Sequence, residues 1–265
     1  MKWDIRQSSK KLPKLNKPIL VEGLPGIGNV GKIAVDFIVE ELKPDKVYEI
    51  FSDSFPHSVF VNEKNLVELP SVRIYAKKMK DGRDLLFLAG DVQPVDEASS
   101  YEFAEKILDI FDKMGGSEII TLGGIGLSEA PESPKVFCTG NSKELIEKYK
   151  KGTEIECKLY GIVGPIIGAA GLLLGLSNKN KAPGIALLAE TFGHPMYIGI
   201  KGAKEIVNIL NKKLNLKIKT EKLDKDIKEL DGQMAKPLPS MKKMPSKDEL
   251  KSLQKHFRSD TSYIG

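Results

Sequence analysis

Gly26-Ile27-Gly28-Asn29-Val30-Gly31 sets three glycines at the spacing G-x-G-x-x-G. The segment follows a short apolar run, Pro18 to Glu22, and precedes an apolar-periodic one. That is the strand, turn and helix context of a dinucleotide-binding fingerprint. In that reading Gly26, Gly28 and Gly31 let the backbone approach a pyrophosphate, which helix-terminal N–H groups attract. Asp53 lies beyond the next apolar run, where a carboxylate could meet a ribose. The same glycines are equally required by a tight strand-to-helix turn that binds nothing. Pro25 stiffens the loop, and a hairpin inserted after Asp53 interrupts the βαβαβ order of a dinucleotide-binding half. No Walker lysine follows this loop or the second one, Gly123-Gly124-Ile125-Gly126, so P-loop chemistry is not indicated.

The remaining reactive residues form no convincing catalytic set. Asp91, Asp96 and Glu97 fall near a strand end, where α/β proteins place active sites. Asp96 is accounted for as a helix cap, and Glu97 as an acid favoured in a first turn. Asp53 and His57 could make an acid–base pair, but Ser52-Asp53-Ser54 and Pro56 also make an ordinary turn. His194, before Pro195, reads as a loop residue. The two cysteines, Cys138 and Cys157, form no CxxC, and the three histidines (His57, His194, His256) have no metal-ligand spacing. No catalytic residue, metal or cofactor is expected. A binding protein without turnover is the primary expectation. The alternative is a nucleotide-binding enzyme or sensor, ATP-grasp-like or dinucleotide-binding, that uses Gly26, Gly28 and Gly31.

The elements that must position these loops alternate. Residues 18–22 read as a buried strand, Asn29 to Leu42 as a helix with Val30, Ile33, Ala34, Phe37 and Ile38 on one face, and Lys46 to Phe51 as a strand. Ser71 to Met79 and Asp84 to Ala89 flank Asp81-Gly82, a strong hairpin signal. Asp96 should cap a helix running to Met114 through Phe103, Ala104, Ile107, Leu108 and Phe111. Ser117 to Leu122 is a strand, Asn141 with Glu144 resembles a capping box for a helix to Tyr149, and a strand near Gly184 to Glu190 precedes a helix from about Ala203 to Leu214. The pattern predicts a three-layer α/β fold, with a mixed, mostly parallel sheet and helices on both faces.

Composition narrows the partners. Lys and Arg number 41 and Asp and Glu 36, for a net charge of +5. The two signs are interleaved along the chain, which does not suggest a nucleic-acid footprint. Leu159 to Ser177 carries no charge and is almost long enough to span a bilayer. Its small residues recur at four-residue spacing, which suits close helix packing in a soluble core, and no membrane association is expected. The N-terminus lacks a signal-peptide core, and a reduced cytoplasm is the simplest location.

The sequence divides into a core, residues 1–216, and a C-terminal extension, residues 217–265. In the extension, Leu223, Ile227 and Leu230 mark an amphipathic helix. Lys236 to Lys247 contains Pro237, Pro239 and Pro245 and reads as an extended linker. A last helix should begin at Ser246, with Leu250, Leu253 and Phe257 on a stripe too narrow to fold alone. Such a stripe either docks in a groove on another subunit or partner, or packs on the chain's own core or stays disordered, as termini often do.

Several segments together resemble the PAC2 family. Leu20 to Gly31 is similar to the family's opening motif, and Asp53-Ser54-Phe55-Pro56 to its segment after the second strand. Ile119 to Gly124, Gly164 to Leu174 and Ala189-Glu190-Thr191 are similar to later segments. The resemblance covers about residues 17–214. It implies a nucleoside-phosphorylase-like fold, a homo-oligomer, and a role like that of the archaeal homologues of proteasome assembly chaperones, which bind proteasome α-subunits and guide or monitor ring assembly. The carboxylate set of an ATP-grasp metal site is not recognisable. The tail Thr261-Ser262-Tyr263-Ile264-Gly265 departs from the hydrophobic-Tyr-any pattern of proteasome-docking tails, since Tyr263 is third from last. Tyr263 and Ile264 remain candidates for a related pocket or an adaptor protein.

Overall fold

A computed structural model describes residues 3–9, 11–80, 82–156, 164–178 and 182–234. The chain divides into two units, Met1–Leu223 and Asp224–Gly265. The first holds the sheet.

Eleven strands are formed among the described residues: β1 (Trp3–Gln7), β2 (Ile19–Gly23), β3 (Asp45–Ser52), β4 (Phe60–Val61), β5 (Val67–Glu68), β6 (Val72–Lys77), β7 (Leu85–Gly90), β8 (Glu118–Leu127), β9 (Val136–Gly140), β10 (Ile155–Glu156) and β11 (Gly184–Phe192). Nine make one sheet in the order β1-β3-β6-β7-β2-β8-β11-β9-β10, and β4 pairs only with β5. The centre is parallel: β2 runs with β7 and β8, and β11 with β8. The β1, β3, β6 and β7 side is antiparallel, as is the β11–β9 pair. The expected mixed sheet is therefore present, with parallel pairing concentrated where helices cover both faces.

Six helices are described: α1 (Val30–Leu42), α2 (Glu97–Lys113), α3 (Lys143–Lys150), α4 (Ala169–Ser177), α5 (Ile200–Leu214) and α6 (Glu221–Met234). Alternation along the central strands splits the core. Leu20, Leu86, Leu88 and Ile119 meet α2 and α4, while α1 packs with α5 across the opposite face. Helix α2 buries Phe103, Ala104, Ile107, Leu108 and Phe111, as its periodicity predicts. Each large side chain so placed contributes roughly 1.5–3 kcal/mol. Asp96 caps it, accepting from Ser99 N at 2.9 Å.

Three local expectations change. Helix α3 is capped by Ser142, whose Oγ accepts from Leu145 N at 3.2 Å. Asn141 instead ties loops together: its Oδ1 accepts from Gly184 N at 2.7 Å, and its Nδ2 donates to the Leu174 and Ala182 carbonyls at 3.2 Å each. Strand β1 was not expected. It brings Trp3 against Phe55 and Phe103, with ring centroids 5.8 and 5.6 Å away. Finally, among the described residues of the uncharged run, 164–177, the helix begins at Ala169, and Leu173, Leu174 and Leu176 are buried. No described helix is long and apolar enough to cross a membrane.

Candidate functional site at the carboxyl end of the central strands

The first glycine loop leaves the carboxyl end of β2, between β7 and β8, where the sheet's connections diverge to opposite faces. Open α/β sheets place ligands at such points. Residues Ile27–Asn29 form a short 3-10 turn, with Gly28 at φ 60° and Asn29 at φ 52° before α1 begins. A Cβ on Gly28 would lie 2.5 Å from Thr191 Oγ1, and one on Gly31 would lie 2.5 Å from the Leu122 carbonyl oxygen. These two glycines are thus required by protein packed against protein: the loop onto β11, and α1 onto β8. Gly26 differs, because a Cβ there meets nothing within 4 Å. The second glycine loop lies alongside, where a Cβ on Gly124 would come within 2.4 Å of the Ile27 carbonyl oxygen. Gly199 N closes the arrangement by donating to Gly28 O at 2.8 Å.

Gln93 links this loop to α4. Its Nε2 donates to Pro25 O at 2.6 Å and its Oε1 accepts from Ala169 N at 2.9 Å. That bond satisfies a backbone donor at the start of α4, whose N-cap, Gly168, has no side chain to do so.

Beneath the loop lies Glu22, 2% exposed at the end of β2. Its Oε1 accepts from Leu24 N at 3.0 Å, while Oε2 reaches no hydrogen-bond partner among the described residues. Burial pushes the carboxyl up to about 8 although the backbone of Leu24 and of Leu122 favours the charged form, so Glu22 is neutral over most of the physiological range. Its register partner on β8 is Thr121, whose Oγ1 is likewise buried without a partner, as is that of Thr191. Motif spacing did not single out Glu22, Gln93, Thr121 or Thr191. The available signal was one acid closing an otherwise apolar strand just before Gly23.

The proposed acid–base residues have other occupations. His194 stacks on Phe192 at 5.5 Å, and its Nδ1 accepts from Met196 N at 3.2 Å. Asp91 pairs with Arg73 at 3.5 Å and Lys32 at 3.7 Å. Asp53 and His57 are exposed. No three His, Cys, Asp or Glu side chains gather as metal ligands among the described residues. What this end of the sheet offers outward is apolar: Ile27 is 53% exposed, Ile167 84%, Met196 84% and Ile198 49%. Apolar side chains on braced loops suit protein contact. Of the residues named from sequence, Gly26, Gly28 and Gly31 come together here. Leu250, Leu253, Phe257, Tyr263 and Ile264 lie outside the described residues.

Comparison with known proteins places these features in context. The family model described as PAC2 family matches residues 20–237. The crystal structure of Pyrococcus furiosus PbaB, described as an archaeal proteasome activator, superimposes with a TM-score of 0.81 at 36% identity, covering 88% of this chain and 98% of that one. Pyrococcus furiosus PbaA, described as an archaeal homolog of proteasome-assembly chaperone, gives a TM-score of 0.69 at 26% identity over 88% of this chain and 95% of that one. The Methanocaldococcus jannaschii protein MJ1210 is 33% identical over 257 residues, 93% of this chain and 96% of its own length.

Proposed function

Because the chain belongs to the PAC2 family, we propose that it is a chaperone-like binding protein of the proteasome. In this reading it acts as a homo-oligomer in the cytoplasm and works by association rather than by chemical turnover. The observation that carries this reading is the 36% identity to PbaB over nearly the whole of that chain. The similarity to PbaA supports the same partner class. The exposed apolar side chains beside the glycine loop supply a surface of the right kind. The glycines support it too, since Gly28 and Gly31 are accounted for by packing on Thr191 and Leu122. Fold alone does not assign function, so the partner is the point to test.

The C-terminal residues Leu250, Leu253, Phe257, Tyr263 and Ile264 are proposed as a docking element for the same partner or an adaptor. The decisive experiment mixes the purified protein with proteasome α-subunits, and separately with assembled core particles, and weighs the products by native mass spectrometry. A complex with either is expected. Free components in both mixtures across a range of salt would overturn the proposal, and the mixture that yields the complex separates a role in assembly from one in activation.

A further inference from the structure

Helices α3 and α5 end side by side at the amino end of the central strands. The Tyr149 phenol holds α3 to Glu118, the first residue of β8. From the last turn of α5, Lys213 Nζ donates to the Lys148 and Lys151 carbonyls at 2.7 and 2.5 Å. That ammonium supplies the cation a helix carboxyl end favours. Lys150, Lys151 and Lys212 lie in or directly after the last turns of the two helices, and Lys219 just beyond α5, all as exposed residues. Lys219 follows Ile218, whose backbone exchanges two hydrogen bonds with the Asn211 side chain, at 2.9 and 3.3 Å. Among the described residues these four lysines form no ion pair, and neither do Glu147 and Glu154 of the same stretch. Glu118 is already taken by Arg83 and Lys148. The Lys213 ammonium is held below the usual lysine range, by burial first and then by Lys212, Lys148 and Lys151. At the opposite end of the sheet, by contrast, Lys32 and Arg73 are both paired with Asp91.

The charges interleaved along the chain are thus sorted by the fold, and this corner keeps an unbalanced positive field that an anion would relieve. The backbone decides which anion fits. Both helices turn carbonyls toward the corner, whereas phosphates are held by N–H groups at the other pole of a helix. Binding single-stranded nucleic acid also calls for an open ring on which bases stack. Tyr149 offers none: it is 1% exposed, with Lys148 and Lys213 over its ring at 5.3 and 6.0 Å. An acidic polypeptide meets both requirements. Its carboxylates answer the ammonium groups, and its backbone N–H groups answer the outward carbonyls. Resting on our reading of the chain as a protein that works by association, we propose that this corner docks a carboxylate-rich segment of a protein partner. Complementary charge of this kind acts first on the rate of encounter and makes the contact sensitive to salt.

The test titrates the full chain with two labelled probes, an oligoglutamate peptide and a single-stranded oligonucleotide of equal charge. The wild type should bind the peptide more tightly and lose about tenfold in affinity between about 50 and about 300 mM salt. Lys150→Glu with Lys212→Glu alters exposed side chains, so it should melt near the wild type and bind the peptide at least tenfold more weakly. Lys150→Gln with Lys212→Gln should show a smaller loss, and it serves as the readout if the charge reversal unfolds the chain. Tighter binding of the oligonucleotide, or wild-type peptide affinity in a folded variant, overturns the proposal. The same proteins are then titrated with proteasome α-subunits, and a matching loss in the variants would place the acidic segment on that partner. Peptide binding by a wild type that takes up no α-subunit overturns the proteasome reading and keeps an acidic partner for the corner. Undiminished α-subunit binding in variants that have lost the peptide overturns the corner as part of the functional surface.

Discussion

Glu118 and Tyr149 are joined by a 2.6 Å hydrogen bond from the phenol to Oε1, which fastens α3 to the amino end of β8. The carboxylate also receives Arg83 at 2.7 Å and Lys148 at 3.0 Å on Oε2. Burial opposes its charge, but Tyr149, Lys148 and Arg83 outweigh that and hold it below the usual carboxylate range. Tyr149→Phe should cost about 1–2 kcal/mol, the worth of a hydrogen bond to a charged group. Glu118→Ala should cost more, since it strands a buried phenol as well. Chemical denaturation of the two variants and the double variant checks this, and the double should fall short of the sum.

Glu22 predicts an unusual pH dependence. Its carboxyl is held near 8 in the fold against an ordinary 4.5. The folded state therefore binds the proton more tightly than the unfolded chain. The stability this provides is complete below about 4.5 and is lost as pH rises toward about 8, at up to about 1.4 kcal/mol per unit. Glu22→Gln keeps an acceptor for Leu24 N and removes the titration. Melting temperatures at pH 5 and pH 8.5 should fall for the wild type and stay level for the variant. Parallel curves would refute the assignment.

The glycine loop separates packing from ligand binding. Gly31→Ala drives a methyl into the Leu122 carbonyl and should cost about 1–3 kcal/mol, as overpacking does. Gly28→Val adds a positive-φ penalty to a clash with Thr191 and should cost at least as much. Gly26→Ala faces open space and should be neutral within about 0.5 kcal/mol. A thermal-shift screen with ATP, purine nucleosides and dinucleotides should leave the wild type unmoved. Stabilisation by one of them that Gly26→Ala abolishes would favour a nucleotide sensor.

The C-terminal docking element is tested by a chain ending at Gly232. It should keep the melting temperature of the core and lose at least tenfold in α-subunit affinity by titration. Unchanged affinity with unchanged oligomeric mass would remove any docking role for Leu250, Leu253, Phe257, Tyr263 and Ile264.

The central architecture was legible because its signals are long and local. Thirteen residues of α1 and seventeen of α2 repeat their apolar positions over several turns. Strand β1 is five residues at a sheet edge, half-buried or exposed throughout, so its alternation carries little weight. Its position depends on Phe55 and Phe103, which lie far along the chain. Strand β9 is similarly short, and Cys-Thr-Gly interrupts its apolar run. At the site, the glycine spacing was visible but its cause was not. Whether a Gly28 is needed for a phosphate or for Thr191 depends on a residue 163 positions later, 191 minus 28. Glu22 was hidden for the same reason. Its environment is made by the strands on either side, and only their register shows that a lone acid at a strand end is enclosed.

Gln93 has a mechanical consequence. One amide holds the Pro25 carbonyl and the first backbone nitrogen of α4 together. The glycine loop and α4 are therefore braced as a single lever, with Ile27 and Ile167 on its two arms. A partner that touches one arm sets the position of the other before reaching it. Contacts at the two points are then coupled, and the ordering of this end of the molecule is incurred once rather than twice.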